Sequence, residues 1–178
     1  MMSTDAIETQ LATIRDGIAH VRAGLDGVEP RPPLPSPGQY LAKRRVAAGL
    51  SLDDVALRIE TVPAVSARSR AEWLARIEAD IDPISIGTAF TLHGCFRFDP
   101  HVLDALVAIH ADMPNIVCPH LCRVCACSWH DACIDRALKD ACAWFDAAQT
   151  LCTSCVGKDP ALVAAPSAAS GSQQAIAA

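Results

Sequence analysis

Apolar residues recur at helical spacing along most of the chain and predict a mainly α fold. Near the N-terminus they follow alternating steps of four and three residues, which is an a/d heptad stripe. The stripe consists of Ile7, Leu11, Ile14, Ile18, Val21, Leu25 and Val28. We expect one amphipathic helix over residues 1–28 that forms a homodimeric coiled coil through residues 4–28. The alternative is a helix that packs this stripe on its own domain.

A change of composition then separates this helix from a helical domain. Residues 29–37 hold five prolines in nine positions and predict an extended linker. Residues 38–112 predict several short helices. The first ends at Gly49, Ser51 caps the second, and Asp99 with Pro100 starts the last. Two more are expected over residues 69–80 and from residue 84 to residue 93.

The apolar faces of these helices predict a shared core. Its expected members are Tyr40, Leu41, Val46, Ala47, Leu52, Val55, Ala56, Ile59, Trp73, Leu74, Ile77, Val102, Leu103, Leu106 and Ile109. A core of aliphatic residues suits the composition, which is 51% hydrophobic but only 4% aromatic. Cys95, which lies apart from the other cysteines, is expected to be a buried free thiol.

Part of this domain follows a known pattern. Its pieces are Arg44 on a basic first helix, Gly49-Leu50-Ser51-Leu52, Val55-Ala56, and Ala75-Arg76-Ile77-Glu78. The segment resembles the Cro/C1-type (XRE) helix-turn-helix family. The resemblance implies that the third helix enters the major groove of double-stranded DNA. The implied DNA contacts are Lys43, Arg44 and Arg45 on phosphates, and Ser66, Arg68, Ser69, Arg70, Glu72 and Arg76 from the third helix.

The segment before the third helix departs from that pattern. Residues 60–68 form a longer connection than the family's usual turn, and Pro63 prevents a continuous helix through it. Two readings remain open. Either the loop is an insertion that leaves the third helix in place, or the groove-facing geometry is lost and the domain is a helical scaffold.

The net charge and the hydropathy of the chain limit which partners it can bind and where in the cell it is expected. The net charge of −5 argues against a protein that coats nucleic acid generally, but it leaves room for one local DNA-binding face. No apolar run is long enough for a transmembrane helix, and the N-terminus lacks signal-peptide character. We therefore expect a cytoplasmic protein with no membrane contact, whose cysteines stay reduced and favour metal over disulfides.

Eight of the nine cysteines lie between Cys118 and Cys155. Two C-x-x-C pairs predict a tetrahedral zinc site within a domain spanning residues 116–157. Its expected ligands are Cys122, Cys125, Cys152 and Cys155. A candidate second site combines Cys127, Cys133 and Cys142 with His130, or with Cys118 or His120 in its place. Alternatively, these thiols help to hold an iron–sulfur cluster, or one metal binds and the remaining cysteines are buried.

The same region resembles a cysteine-rich tail found in phage and prophage proteins of proteobacteria. The shared elements are Cys122-Arg123, Cys125, Cys127, Ala132-Cys133, Cys142-Ala143-Trp144 and Leu151-Cys152 with Cys155. The resemblance implies an architecture rather than an activity. Trp129, Trp144 and Phe145 are expected to supply a small core around the metal. The small and polar residues of 158–178 predict a disordered tail.

These patterns lead to one expected function and two alternatives. No zinc-hydrolase, deaminase, nucleotide-binding or serine-hydrolase motif is present, so we expect a protein that is not an enzyme. The favoured interpretation is a phage-type DNA-binding transcription regulator with a structural zinc domain. The alternatives are a protein-interaction adaptor with a zinc knuckle and an iron–sulfur redox sensor.

Overall fold

The computed structural model describes residues 32–134 and 140–163. The chain divides into two compact units, Met1–Pro32 and Pro33–Ala178, and nearly all of the first unit lies outside the described residues. The predicted helix at 1–28, its dimer contact through residues 4–28 and the predicted tail beyond residue 163 all concern residues outside this description. The second unit is mainly helical, as the apolar periodicity predicts.

Five α-helices follow one another in the first part of this unit. They are α1 (Pro37–Ala47), α2 (Leu52–Arg58), α3 (Ala67–Glu78), α4 (Ile86–His93) and α5 (Pro100–His110). Each begins after a polar residue whose side chain accepts a hydrogen bond from the first turn: Ser36, Ser51, Ser66, Ser85 and Asp99. Such caps satisfy backbone amides that would otherwise lack a partner. The predicted caps Ser51 and Asp99 are confirmed. Among the described residues, no helix is long and apolar enough to cross a membrane.

Two helix boundaries differ from the prediction. The third helix begins at Ala67 rather than residue 69, because Ser66 accepts from the amide of Ser69 and caps it earlier. The fourth helix begins at Ile86 rather than residue 84, because the Ser85 hydroxyl accepts from Thr88. The predicted proline linker through residue 37 likewise ends sooner, since the Ser36 cap makes Pro37 the first residue of α1.

The helices pack around α1. Helix α3 contacts both α1 and α2, and α5 contacts α1. Tyr40 and Leu41 are fully buried at this junction, and the Tyr40 hydroxyl accepts a 2.9 Å hydrogen bond from the Asp99 amide at the start of α5. Most predicted core residues are buried or half-buried. Val46 and Ala47 are exceptions, since the last turn of α1 leaves them exposed.

The cysteine-rich segment has little regular secondary structure. Within the described part of residues 111–163 there are two isolated antiparallel β-bridges, Ile134 with Ala141 and Trp144 with Cys152. A 3₁₀ helix, η1, covers Thr153–Lys158, and a short helix, α6, covers Pro160–Val163. The tail predicted to begin at residue 158 is therefore ordered up to residue 163. Arg123 ties the connection between η1 and α6 to the first C-x-x-C pair, because its Nε donates to the buried Asp159 carboxylate at 2.7 Å.

The helices and the cysteine-rich segment, predicted as domains 38–112 and 116–157, both lie within the unit Pro33–Ala178. Leu121 and Ala126 belong to the same apolar core as Tyr40. Arg44 of α1 forms a buried ion pair with Asp131, with 2.5 Å between Nη2 and Oδ2. The cysteine cluster is thus built directly against α1.

Candidate metal centre

The first C-x-x-C pair lies in a tight turn that points its thiols inward. The Ala126 amide donates to the Cys122 carbonyl at 2.8 Å, and the Cys122 amide donates to the Cys127 carbonyl at 3.0 Å. Ala126 makes this closure with a φ of 56°, in the left-handed region. The turn brings a third thiol, that of Cys127, to the same side as the pair. Sequence spacing alone did not assign Cys127 to this turn.

The second C-x-x-C pair is placed by η1 and by a hairpin-like segment before it. The Cys155 amide donates to the Cys152 carbonyl at 3.0 Å, which closes the first turn of η1. The Cys152 amide points toward the Cys122 sulfur, at 3.5 Å. Two backbone hydrogen bonds of 2.8 Å support the bridge of Trp144 with Cys152. The Thr153 amide donates to the Ala143 carbonyl, and the Phe145 amide donates to the Leu151 carbonyl. The two knuckles therefore face each other.

Cys133 and Cys142 come from neighbouring extended segments. The Cys142 amide donates to the Cys133 carbonyl at 2.8 Å, next to the bridge of Ile134 with Ala141. Because the two residues pair directly, their sulfurs lie 3.5 Å apart. Both thiols are half-buried and reach the same cluster as the knuckles.

Two groups of four sulfurs fit the requirements of a metal site. The first comprises Cys122, Cys125, Cys127 and Cys152, and the second comprises Cys127, Cys133, Cys142 and Cys152. Within each group all sulfurs lie within 4.8 Å of one another. We call these six residues the thiol cluster. All nine cysteines are free thiols.

The spacing of the sulfurs matches tetrahedral coordination. A metal–sulfur bond of about 2.3 Å places the sulfurs of one tetrahedral zinc site about 3.8 Å apart. The sulfurs of Cys125 and Cys152 are 3.8 Å apart, and the pairs Cys127–Cys142 and Cys133–Cys152 are 3.7 and 3.6 Å apart. Cys125 and Cys133 approach to 3.4 Å, which joins the two groups into one cluster. The residues present could therefore hold a metal ion of this geometry.

Burial and mutual contact perturb the thiols strongly. Hydrogen bonding from Cys125 and its neighbours lowers the pKa of Cys122, whereas hydrogen bonding to Cys122 raises the pKa of Cys152. Some thiols therefore ionise at the expense of others, because adjacent thiolates repel each other in a buried site. A cation in the cluster would remove this conflict, since metal-bound cysteines are deprotonated.

Two arginines brace the cluster from outside. Arg44 is 5% exposed, and besides its ion pair with Asp131 it lies near the Cys125 carbonyl, at 3.4 Å from Nη1. Arg123, inside the first knuckle, donates to the Thr150 hydroxyl at 3.0 Å as well as to Asp159. Its own amide donates to the Thr150 carbonyl at 2.8 Å. These contacts tie both knuckles to the surrounding chain and place positive charge beside the sulfurs.

Two cavities open onto the thiols. The larger, about 730 Å³, lies between α1 and the cysteine-rich segment and reaches Cys125, Cys133 and Cys155. A smaller one, about 200 Å³, reaches Cys127, Cys142 and Cys152 and is walled in part by both tryptophans of the segment. An ion therefore has access to the cluster without unfolding of the chain.

The structure groups the cysteines differently from the sequence prediction. The expected first set joined Cys155 to Cys122, Cys125 and Cys152. The thiol of Cys155 does contact these three, but the first group of four has Cys127 in its place. The expected second set included His130, which is exposed and belongs to neither group. The fold selects Cys127 because it follows Ala126 within the closed turn.

Other expected elements of this region also lie elsewhere. Cys118 and His120, the substitutes considered for His130, are exposed. Trp129 and Phe145 are 71% and 55% exposed, so they do not form the expected core around the metal. Of these three aromatic residues, only Trp144 packs against the cluster, together with Val124, Val156 and the buried Leu151. The sulfurs themselves occupy most of this small interior.

The first-helix cations expected to contact DNA all have partners within the fold. Lys43 donates to the Arg123 carbonyl at 2.5 Å, and Arg44 is buried against Asp131. Arg45 forms a two-bond ion pair with Glu78, with distances of 2.6 and 2.7 Å. Hydrogen bonding to Glu78 raises the pKa of Arg45. A phosphate would have to compete with these carboxylates and carbonyls.

The residues expected to contact DNA from the third helix are more accessible. Ser66 caps the exposed start of α3, and its hydroxyl contacts that of Ser69. Arg68 pairs with Glu72 at the surface, and 89% of the Arg68 side chain is exposed. Arg70 instead donates to the carbonyls of Ala56 and Val65. Arg76 donates through two nitrogens to Asp82, at 2.8 and 2.7 Å.

Comparison of the chain with protein-family models, curated proteins and solved structures finds no match. Function is therefore inferred from the residues and their geometry.

Proposed function

We propose that the protein binds zinc through the thiol cluster and that the metal has a structural role, fastening the cysteine-rich segment to the helices. The observation that carries this proposal is the convergence of six cysteine sulfurs at tetrahedral spacing in a largely buried site. Zinc suits an all-sulfur, closed coordination shell. The segment has few buried apolar residues of its own, so metal–sulfur bonds would replace a hydrophobic core.

The ligand set favours a structural role over catalysis. A catalytic zinc keeps one position open for water or substrate. Here thiols outnumber the positions of one tetrahedral ion, so every position can be filled by sulfur. The protein is accordingly proposed to be a non-catalytic, zinc-stabilised binding module.

The sulfur spacing also favours zinc over a cubane iron–sulfur cluster. In a [4Fe–4S] cluster each cysteine binds a different iron, so the cysteine sulfurs lie farther apart than those that share one metal. Neighbouring sulfurs within each group of four are 3.5–3.8 Å apart, as expected around a single ion.

Metal analysis of anaerobically purified protein tests the proposal. We expect zinc, no iron and no visible absorbance, and an intense cobalt–thiolate spectrum after cobalt substitution. Cys152→Ser should lower metal content, whereas Cys118→Ser should not, because Cys118 is exposed and outside the cluster. A coloured preparation with iron and sulfide, or a protein without metal, would contradict the proposal.

DNA binding through the start of α3 is a second candidate function. It is supported by the exposed side chains of Ser66, Arg68, Ser69 and Glu72, which lie together at the N-terminal end of a helix packed on α2. Helix N-termini and arginines are common phosphate and base contacts. The internal pairing of Lys43, Arg44 and Arg45 leaves this end of α3 to supply the contacts.

Fluorescence anisotropy with duplex DNA at low salt tests this candidate, since phosphate contacts are strongest there. We expect Arg68→Ala to weaken binding and Arg97→Ala, a change at an exposed arginine outside α3, to leave it unchanged. If the zinc-loaded wild-type protein does not bind at low salt, DNA binding is excluded and the interaction-module interpretation stands.

A further inference from the structure

We infer that the thiol cluster holds two metal ions that share the sulfurs of Cys127 and Cys152 as bridging ligands. This inference rests on the proposed function and specifies the metal count and ligand roles. Cys127 and Cys152 are the members common to both groups of four. The remaining members, Cys122 with Cys125 and Cys133 with Cys142, would each bind one ion.

Counting coordination positions supports the shared arrangement. Two tetrahedral ions need eight positions, and two separate sites would need eight different ligands. The two groups together contain six sulfurs. Two bridging thiolates, each counted at both ions, supply the missing positions. The candidates for the remaining ligand of a separate second site, His130, Cys118 and His120, are exposed and outside both groups.

The distances place the bridging candidates between the two pairs. The sulfur of Cys152 lies 3.8 Å from the Cys125 sulfur of the first pair and 3.6 Å from the Cys133 sulfur of the second pair. Cys127 lies 3.7 Å from Cys142, and the turn that contains it also holds Cys122 and Cys125. The sulfur of each bridging candidate is therefore as close to a sulfur of the second pair as two ligands of one tetrahedral ion are. Cys127 also shares a turn with the first pair, Cys122 and Cys125, and Cys152 faces that turn.

Burial and charge are consistent with bridging at these two positions. Cys127 and Cys152 are each 1% exposed, as is the terminal ligand Cys122, whereas Cys133 and Cys142 are half-buried. Six thiolates and two divalent ions leave a net charge of about −2, as follows from full deprotonation of metal-bound cysteines. The buried Arg44 guanidinium lies next to the Cys125 carbonyl, but its charge is already paired with Asp131.

Cys155 is a seventh thiol that contacts Cys122, Cys125, Cys133 and Cys152 but belongs to neither group of four. It lines the larger cavity together with Cys125 and Cys133. The two-ion arrangement does not require it.

Cadmium-113 NMR of the full chain, with zinc replaced by cadmium, tests the inference directly. We expect two cadmium ions per chain, two resonances with the downfield shifts of all-sulfur coordination, and a cadmium–cadmium scalar coupling transmitted through a shared sulfur. The wild-type measurement needs no variant to fold. A terminal-ligand variant, Cys142→Ser, should lose one ion and the coupling but keep the other resonance.

The outcomes separate this inference from the proposed function. One ion per chain, or two without scalar coupling, would overturn the bridged pair and leave zinc binding intact. No bound cadmium would overturn both. Two coupled resonances that persist unchanged in Cys127→Ser would overturn the assignment of Cys127 as a bridge.

Discussion

Ala126 closes the first knuckle in a backbone conformation that ordinarily favours glycine. Its φ is 56°, and its side chain is fully buried between two candidate metal ligands. An L-residue with a Cβ in this region is strained by about 1–2 kcal/mol. The strain is tolerated because the hydrogen bonds on either side and the surrounding core hold the turn.

Two substitutions at Ala126 should separate strain from packing. Glycine relieves the strain but is freer in the unfolded chain, so Ala126→Gly should change the unfolding free energy by less than about 1 kcal/mol. Ala126→Val adds a β-branched side chain at a fully buried position in the left-handed region, and should cost about 1–3 kcal/mol. Urea unfolding of the zinc-loaded protein measures both. A valine variant as stable as wild type would show that the turn differs from this description.

At the scale of elements, Gly38 sets the distance between α1 and α3. A Cβ at this position would lie 2.3 Å from the Ile77 carbonyl oxygen and 2.8 Å from that of Glu78. The Gly38 amide donates to Asp80 Oδ1 at 2.7 Å just past the end of α3, and Asp80 also contacts the Ser36 hydroxyl. The N-terminus of α1 can therefore meet the C-terminus of α3 only without a side chain at position 38.

Gly38→Ala should destabilise the protein, because the contacted atoms are backbone and cannot move aside without shifting a helix. We expect a loss of about 1–3 kcal/mol, as for other overpacked sites. Gly87→Ala is the matched control. Gly87 lies in α4 with only the Ser85 hydroxyl near its Cβ position, at 3.8 Å, so alanine should stabilise by up to about 1 kcal/mol. Thermal unfolding of both variants gives the comparison, and equal shifts would contradict this role for Gly38.

At the scale of the whole molecule, the pair of Arg44 and Asp131 joins α1 to the cysteine-rich segment. Both side chains are about 95% buried, and the Asp131 amide donates to the Ser128 hydroxyl at 3.2 Å. Arg97 approaches the same carboxylate at 3.7 Å but is 74% exposed. Only the Arg44 contact is shielded from water.

Removing the buried partner should therefore cost far more than removing the exposed one. Asp131→Asn leaves a buried guanidinium without its counter-charge and should destabilise by about 3–5 kcal/mol. Arg97→Ala should cost no more than about 1 kcal/mol, as is usual for exposed pairs. Urea unfolding measures both losses. Similar small effects for the two variants would mean that the pair is solvated in solution.

Metal binding should couple to the stability of the whole second unit. If the thiol cluster binds zinc only in the folded state, stability rises with free zinc, by about 2.7 kcal/mol at a free concentration one hundred times the dissociation constant. Thermal unfolding in zinc buffers should show this rise for wild type and for Cys95→Ser, whose thiol lies outside the cluster. Cys127→Ser should reduce the rise. A midpoint independent of free zinc in the wild type would argue against a structural metal.

Much of the helical fold follows from short stretches of sequence. The Ser51 cap, the start of α5 at Asp99 and Pro100, and the turn after α1 at Gly49, with a φ of 76°, each depend on residues within one helical turn. Buried positions such as Leu41 and Ile77 follow from helical periodicity. Local hydrogen bonding and apolar spacing are properties of adjacent residues, so they can be predicted without the tertiary structure.

The kind of ligand in the candidate metal site could also be predicted from the sequence, but the grouping of the ligands could not. Clustered cysteines with two C-x-x-C pairs predict a thiolate metal site. Which sulfurs share an ion depends on how the turn at Ala126 and the pairing of Cys133 with Cys142 fold together. Spacing therefore led to one set with Cys155 and a second set with His130, whereas the fold groups Cys127 with Cys122 and Cys125 and also with Cys133 and Cys142.

The sequence by itself determined the helix caps, the buried faces of the helices and the presence of many thiol ligands for a metal. These features depend on residue type and on the spacing of nearby residues. Only the tertiary structure decided which cysteines converge and how the basic first helix is used. Arg44 and Asp131 are 87 positions apart, and no local pattern connects them. Arg44 was expected to face DNA, but this contact buries it between α1 and the cysteine-rich segment. A charge removed from water must find its partner inside the protein.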